Sequence, residues 1–120
     1  MRALIIEDDK TFCEFLAEIL ESRGFQVVWT TDALDGYKKS QSYPYYDLFI
    51  LDVRMPMLLG TEIALTLKQK NPTAKVILIS AFADESLREI ASKLDTPLIS
   101  KPFSADDLFQ VIETAIDGQT

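Results

Sequence analysis

A chain of 120 residues with 48% apolar content is the size of one domain built on one core. Its formal net charge of −7, with twelve scattered basic residues, argues against direct binding of a phosphate backbone, which needs clustered Lys and Arg. The absence of histidine removes the commonest general base and the usual zinc ligand, so any histidine in its chemistry comes from a partner.

Strand-like and helix-like stretches alternate five times along the chain. Residues 3–7 form a continuous apolar run, as a strand buried on both faces does. Residues 11–23 place Phe12, Leu16, Ile19 and Leu20 on one helical face, with Gly24 as the C-terminal signal. The lone Cys13 sits on that face, which predicts small-apolar core filling rather than a reactive thiol. Gln26 to Thr30 is β-branched and aromatic and predicts the second strand. Asp32 caps a helix over 33–42, broken by Ser42-Tyr43-Pro44, and residues 47–52 are the third strand.

Leu59 to Lys70 reads as a helix ended by Asn71-Pro72. Lys75 to Ser80 is the fourth strand, and Asp84 caps a helix carrying Leu87, Ile90, Ala91 and Leu94 on one face. Thr96 to Ser100 is a short fifth strand, where Pro97 fits an edge or a strand start. Ser104-Ala105-Asp106-Asp107 opens the last helix as a capping box with Asp in place of Glu. No apolar stretch approaches the ~20 residues of a membrane span. The N-terminus lacks a signal-peptide pattern, and a single cysteine permits no internal disulfide; together these predict the cytosol.

This βα pattern, five times repeated, predicts one α/β domain over residues 1–120, flavodoxin-like: a (βα)5 doubly wound parallel sheet in strand order 2-1-3-4-5. Such sheets bind ligands outside the carboxyl ends of their strands. Glu7, Asp8, Asp52, Ser80 and Lys101 all fall at those ends. One such residue is usually a solvated cap, but five polar interruptions at the same end of their strands are not. Crowded carboxylates need a cation among them, and hard divalent ions such as Mg²⁺ prefer oxygen ligands. A nearby lysine adds a point charge suited to a phosphoryl group.

Ile5-Ile6-Glu7-Asp8-Asp9, Leu51-Asp52-Val53-Arg54-Met55-Pro56 with Gly60, Ile79-Ser80-Ala81 and Lys101-Pro102-Phe103 together resemble a response-regulator receiver domain of two-component signal transduction. The resemblance spans nearly the whole chain. It implies that Asp52 is the phospho-acceptor, served by a sensor histidine kinase or a histidine phosphotransfer protein. It also implies Mg²⁺ held by Glu7, Asp8, Asp52 and the backbone carbonyl of Arg54. Ser80 and Lys101 match the hydroxyl and the lysine that meet the phosphoryl group. Such a domain is no enzyme beyond its own phosphorylation and dephosphorylation, and it switches contact with a partner or effector. Asp9 reads as a helix cap outside the site.

The chain departs from the family pattern at Leu98, where an aromatic residue is usual, and at Lys93-Leu94-Asp95-Thr96, where a small Gly-Ala element is usual. Both departures touch the readout rather than the phosphoryl motifs. Phe82, two residues past Ser80, is placed either to pack the loop or to shield an acyl phosphate from water. Three rival readings fare worse. An aspartyl-nucleophile phosphatase places a second Asp where Arg54 stands. A nucleotide or flavin binder needs a glycine-rich loop, whereas Gly24, Gly36, Gly60 and Gly118 lie far apart. A phosphorylation-independent interaction module would be expected to lack Asp52, Asp8 or Lys101.

Overall fold

The computed structural model describes residues 1–42 and 45–116. In chain order these form β1 (Arg2–Ile6), α1 (Lys10–Glu21), β2 (Gln26–Thr30), α2 (Ala33–Ser40) and β3 (Leu48–Asp52). There follow α3 (Gly60–Lys70), β4 (Val76–Ser80), α4 (Glu85–Lys93), β5 (Leu98–Ser100) and α5 (Ala105–Ile116). All pairings are parallel, and the sheet order is β2-β1-β3-β4-β5. The fold expected from the alternation is the fold observed, and no helix among the described residues is long and apolar enough to cross a membrane.

The period-2 alternation of a strand sends successive side chains to opposite faces. Here both faces are apolar. Leu4, Ile6, Phe49, Leu51, Val76 and Leu78 meet Ala33 of α2, Ile63 and Leu67 of α3, and Leu87 and Ala91 of α4. On the other face Ala3, Ile5, Leu48, Ile50, Ile77 and Ile79 meet Cys13, Leu16 and Leu20 of α1, and Leu108 and Ile112 of α5. Residues 3–6, 48–51 and 76–79 are buried throughout. Each fully buried aliphatic side chain contributes about 2 kcal/mol of transfer free energy. A sheet held this firmly from both sides gives the residues at its strand ends fixed positions.

The helix boundaries follow their caps. Asp9, Asp32 and Asp84 accept from the first-turn amides of Phe12, Leu34 and Leu87 at 3.2, 2.8 and 2.8 Å. The Ser104–Asp107 box closes in both directions, at 3.0 and 3.1 Å. Gly24 takes the left-handed conformation expected of it, with φ +89°. Asp95 also sits at positive φ, 53°, in the stretch from Lys93 to Thr96; Asp tolerates this region better than most side chains. Tyr43 and Pro44, invoked to break α2, lie outside the described residues, and the helix ends at Ser40 rather than at 42. The fifth strand is shorter than expected, starting at Leu98, with Pro97 before it accepting from the Leu78 amide at 2.9 Å.

Candidate functional site

The carboxyl ends of β1, β3, β4 and β5 carry Glu7, Asp52, Ser80 and Lys101, and the ladder itself brings them together. The Glu7 amide extends the ladder to the Thr30 carbonyl at 3.1 Å, and the Lys101 amide reaches the Ser80 carbonyl at 2.8 Å. The four residues and Asp8 line one cleft of about 420 Å³, together with Asp9, Arg54, Ala81 and Phe82. The peptide between Lys101 and Pro102 is cis.

Glu7 is fully buried and both of its carboxylate oxygens are engaged. Oε1 accepts from Lys101 Nζ at 2.6 Å, and Oε2 accepts from the Asp9 amide at 2.9 Å. Asp52 is 5% exposed, and its Oδ1 lies 3.9 Å from the same ammonium. Burial raises the Asp52 carboxyl first, and the neighbouring Glu7 carboxylate raises it further; Lys101 opposes both. The net effect is a carboxyl pushed from 3.8 up to about 8. One ammonium therefore does not compensate the carboxylates around it.

Glu7, Asp8 and Asp52 each offer one carboxylate oxygen, and the three atoms lie within 4.8 Å of one another. An all-oxygen donor set of this kind, short of positive charge, fits a hard divalent cation. Asp8 is exposed, so a cation would reach it from solvent while Glu7 and Asp52 form the floor.

Ser80 is 1% exposed, and its Oγ accepts from the Phe82 amide at 3.1 Å. Phe82 itself stands at the rim, 66% exposed. Arg54 is exposed on the loop after β3. That loop is held back against its strand at Gly60, whose amide donates to the Val53 carbonyl at 2.9 Å. A Cβ on Gly60 would come to 2.1 Å of the Asp52 carbonyl oxygen, so only glycine permits this closure. Asp9 does what a helix cap does, and its side chain turns to the Phe12 amide.

Three features escaped the sequence reading. Glu7 is the ion-pair partner of Lys101 as well as a member of the acidic cluster, and no pattern in the chain pairs the two. Cys13 donates through Sγ to the Glu7 carbonyl at 3.1 Å, bracing the segment that carries the acidic pair. Burial and the carboxylates of Glu7, Asp9 and Asp8 push its thiol up to about 12, so it is no nucleophile. The third is Phe12, whose ring lies 4.6 Å from Lys101 Nζ. The i to i+4 spacing of Phe12 and Leu16 marked Phe12 for the core, and only the fold shows the lysine beside it.

A family model described as the response regulator receiver domain matches residues 3–113. The response regulator receiver protein CpdR of Brucella abortus is 32% identical over 113 residues, which cover 93% of both chains. The cell cycle response regulator CtrA of Brucella ovis is 28% identical over 97% of this chain, which spans 50% of CtrA. Among solved structures, a receiver domain protein from Clostridium thermocellum superposes with a TM-score of 0.89 at 27% identity, covering 98% of this chain and 95% of that one. The TrrA response regulator of Thermotoga maritima, solved in complex with Mg(2+)-BeF, superposes with a TM-score of 0.84 at 29% identity, covering 95% and 97%. Such domains are regulatory modules rather than enzymes with an external substrate. By its sequence, its sheet order and its strand-end cluster, the chain belongs to the response-regulator receiver domain family.

Proposed function

We propose that residues 1–120 act as one receiver domain that takes a phosphoryl group onto Asp52 in a Mg²⁺-dependent reaction. The observation that carries this reading is the meeting of Asp52 with Glu7, Asp8 and Lys101 at one sheet edge. A carboxylate oxygen of Asp52 attacks the phosphorus of a phosphohistidine on a sensor kinase or phosphotransfer protein. The phosphorus–nitrogen bond breaks, the imidazole leaves with the electron pair and is protonated, and an acyl phosphate forms. Glu7, Asp8, Asp52 and the Arg54 carbonyl would hold Mg²⁺, which when bound would supply neutralising charge to the transferred oxygens. Ionising Asp52 at neutral pH is favoured by the same positive charge, because the metal-free carboxyl lies near 8.

Lys101 then leaves Glu7 for the new phosphoryl oxygens, a shift begun from only 3.9 Å away. The Ser80 hydroxyl has a proton to donate in the same direction, since its oxygen already accepts from Phe82. A reading as a module that ignores phosphorylation finds no support in the side chains: Asp52, Asp8 and Lys101 are all in place. The test is incubation with acetyl phosphate and Mg²⁺, borohydride trapping and mass spectrometry. Label is expected on Asp52, and label retained in Asp52→Asn would sink the proposal.

The output differs from the family's usual one at β5. Leu98 is half-buried against the core and has neither an aromatic ring nor a hydroxyl to swing inward. The rearrangement is therefore centred on residues 81–85, which begin one residue past Ser80. Amide exchange with and without a phosphoryl mimic should change there first; equal changes across β5 and α5 would contradict it.

A further inference from the structure

We propose that Phe12 is a positioning residue for Lys101, its ring face holding the ammonium at the cleft as the lysine passes from Glu7 to a phosphoryl group on Asp52. The inference rests on the phosphoryl reading of the strand-end site. A lysine is a point charge on a flexible stem, so its usefulness depends on what confines it. Carboxylates confine Lys101 on one side: Glu7 Oε1 at 2.6 Å and Asp52 Oδ1 at 3.9 Å. Phe12 confines it on another, with Nζ 4.6 Å from the ring centroid, inside the range of a cation–π contact. The lysine side chain is 20% exposed, so water screens this attraction only in part.

The ring is itself fixed. Asp9 caps the Phe12 amide at 3.2 Å, setting the first turn of α1. Phe103, two residues beyond Lys101, packs edge-on against Phe12 at 5.6 Å and 82°. Phe15 supports the ring from the next turn at 5.5 Å. Edge-on packing leaves a ring face for the cation and is a favoured aromatic geometry. The carboxylate partner must be given up when Lys101 turns to a phosphoryl oxygen. The ring face carries no charge to be given up, so it stays as a partner once Glu7 is lost and holds the ammonium more strongly in the phosphoryl-facing state than in the resting one, where the Glu7 carboxylate competes for it. A leucine at position 12 would fill the same apolar space and lack this property.

The test uses beryllofluoride with Mg²⁺ as a non-covalent phosphoryl mimic, and calorimetry on Phe12→Leu and Phe12→Tyr in the native and Lys101→Ala backgrounds. Proton NMR of the metal-free protein reads the contact itself, through an upfield ring-current shift of the Lys101 ε-methylene that Phe12→Leu removes. Affinity for the mimic should fall about fivefold in Phe12→Leu, within the range of a partly shielded cation–π contact, and recover in Phe12→Tyr. In the Lys101→Ala background Phe12→Leu should cost nothing further. The proposal is overturned by an unshifted ε-methylene, by a tyrosine variant as weak as leucine, or by equal losses in both backgrounds. These results leave the phosphoryl reading standing. A native protein that does not bind the mimic, or a Lys101→Ala variant that binds it as tightly, overturns that reading and this inference with it.

Discussion

The two ends of the parallel sheet carry clefts of comparable size and opposite character. The cleft at the amino ends of β4 and β5 is the larger, about 550 Å³, and is lined by Lys68, Lys75, Asp95, Thr96 and Pro97 among others. Its charged side chains are all at least partly solvated, and its polar groups are settled locally. Lys68 Nζ reaches the Asp95 carbonyl at 3.4 Å, and the buried Thr96 hydroxyl donates to the Leu94 carbonyl at 3.1 Å. The cleft at the carboxyl ends is smaller, about 420 Å³, but its floor is two buried carboxyl groups, Glu7 and Asp52, with one ammonium between them. Volume does not select the functional end. Under-compensated charge on a rigid edge does.

Metal binding should separate the two ends most sharply. Asp8→Asn removes the negative charge from one of three converging ligands and should weaken Mg²⁺ binding about a hundredfold, roughly 2.7 kcal/mol, in a calorimetric titration. Asp9→Asn keeps its cap and should change binding less than about twofold. Lys75→Ala, at the other end, should leave it untouched. Equal losses in Asp8→Asn and Asp9→Asn would refute the choice of ligands.

The strand ends were legible in the sequence because the chemistry interrupts an otherwise apolar pattern. Glu7, Asp52 and Ser80 each follow an apolar run, Lys101 follows one at a remove of Ser100, and the parallel fold aligns such interruptions. The caps were legible for a related reason, since Asp9, Asp32 and Asp84 act on amides two or three residues away. Contacts across the chain were not. Glu7 and Lys101 are 94 residues apart, so their ion pair appears only once β1 and β5 lie in one sheet. Phe12 read as core because its spacing says nothing of a cation beside it. Gly60 belonged to a motif, yet the reason for a glycine is the Asp52 carbonyl, which any Cβ at that position would strike and which no local pattern encodes. The ends of α2 and β5 missed by about two residues because tertiary packing, not propensity, decides where a helix or strand stops.

The two ends also differ in how they respond to pH. Asp52 in the folded, metal-free protein holds its proton up to about 8, first through burial and then through Glu7, against 3.8 for an ordinary aspartate. Between these values the folded state keeps a proton that the unfolded state has released. Stability from this group is therefore lost as pH rises through that window and levels off above it. Thermal melts in chelator should show the native protein falling relative to Asp52→Asn by a few degrees from pH 5 to pH 8. Mg²⁺ should recover the loss, because it binds the folded state. Lys75→Ala should keep the native slope. Parallel profiles for the native protein and Asp52→Asn would remove Asp52 as the source.

The smallest expected effect lies at the rim of the carboxyl-end cleft. Hydrolysis of an acyl phosphate needs a water in line with the departing aspartate oxygen. Arg54 and Phe82 flank that approach, and neither carries a carboxylate or amide to align the water. Phe82 is anchored through its amide to Ser80 Oγ at 3.1 Å, which sets its Cα beside the site. Its ring is 66% exposed, so it narrows the approach without sealing it. Shielding of this kind is worth less than a water-orienting contact, and below ~1.4 kcal/mol the change in rate is under tenfold. The phosphorylated form should therefore decay slowly, and Phe82→Glu should speed the decay severalfold by replacing the apolar screen with a carboxylate able to hold the water. Arg54→Asn should speed it less, because Arg54 is exposed on its loop and water reaches past it already. Decay of the phosphoprotein after the phosphodonor is removed, sampled by borohydride trapping at successive times, separates these effects. If neither substitution changes the rate, the rim has no part in it, and the buried floor alone sets the lifetime.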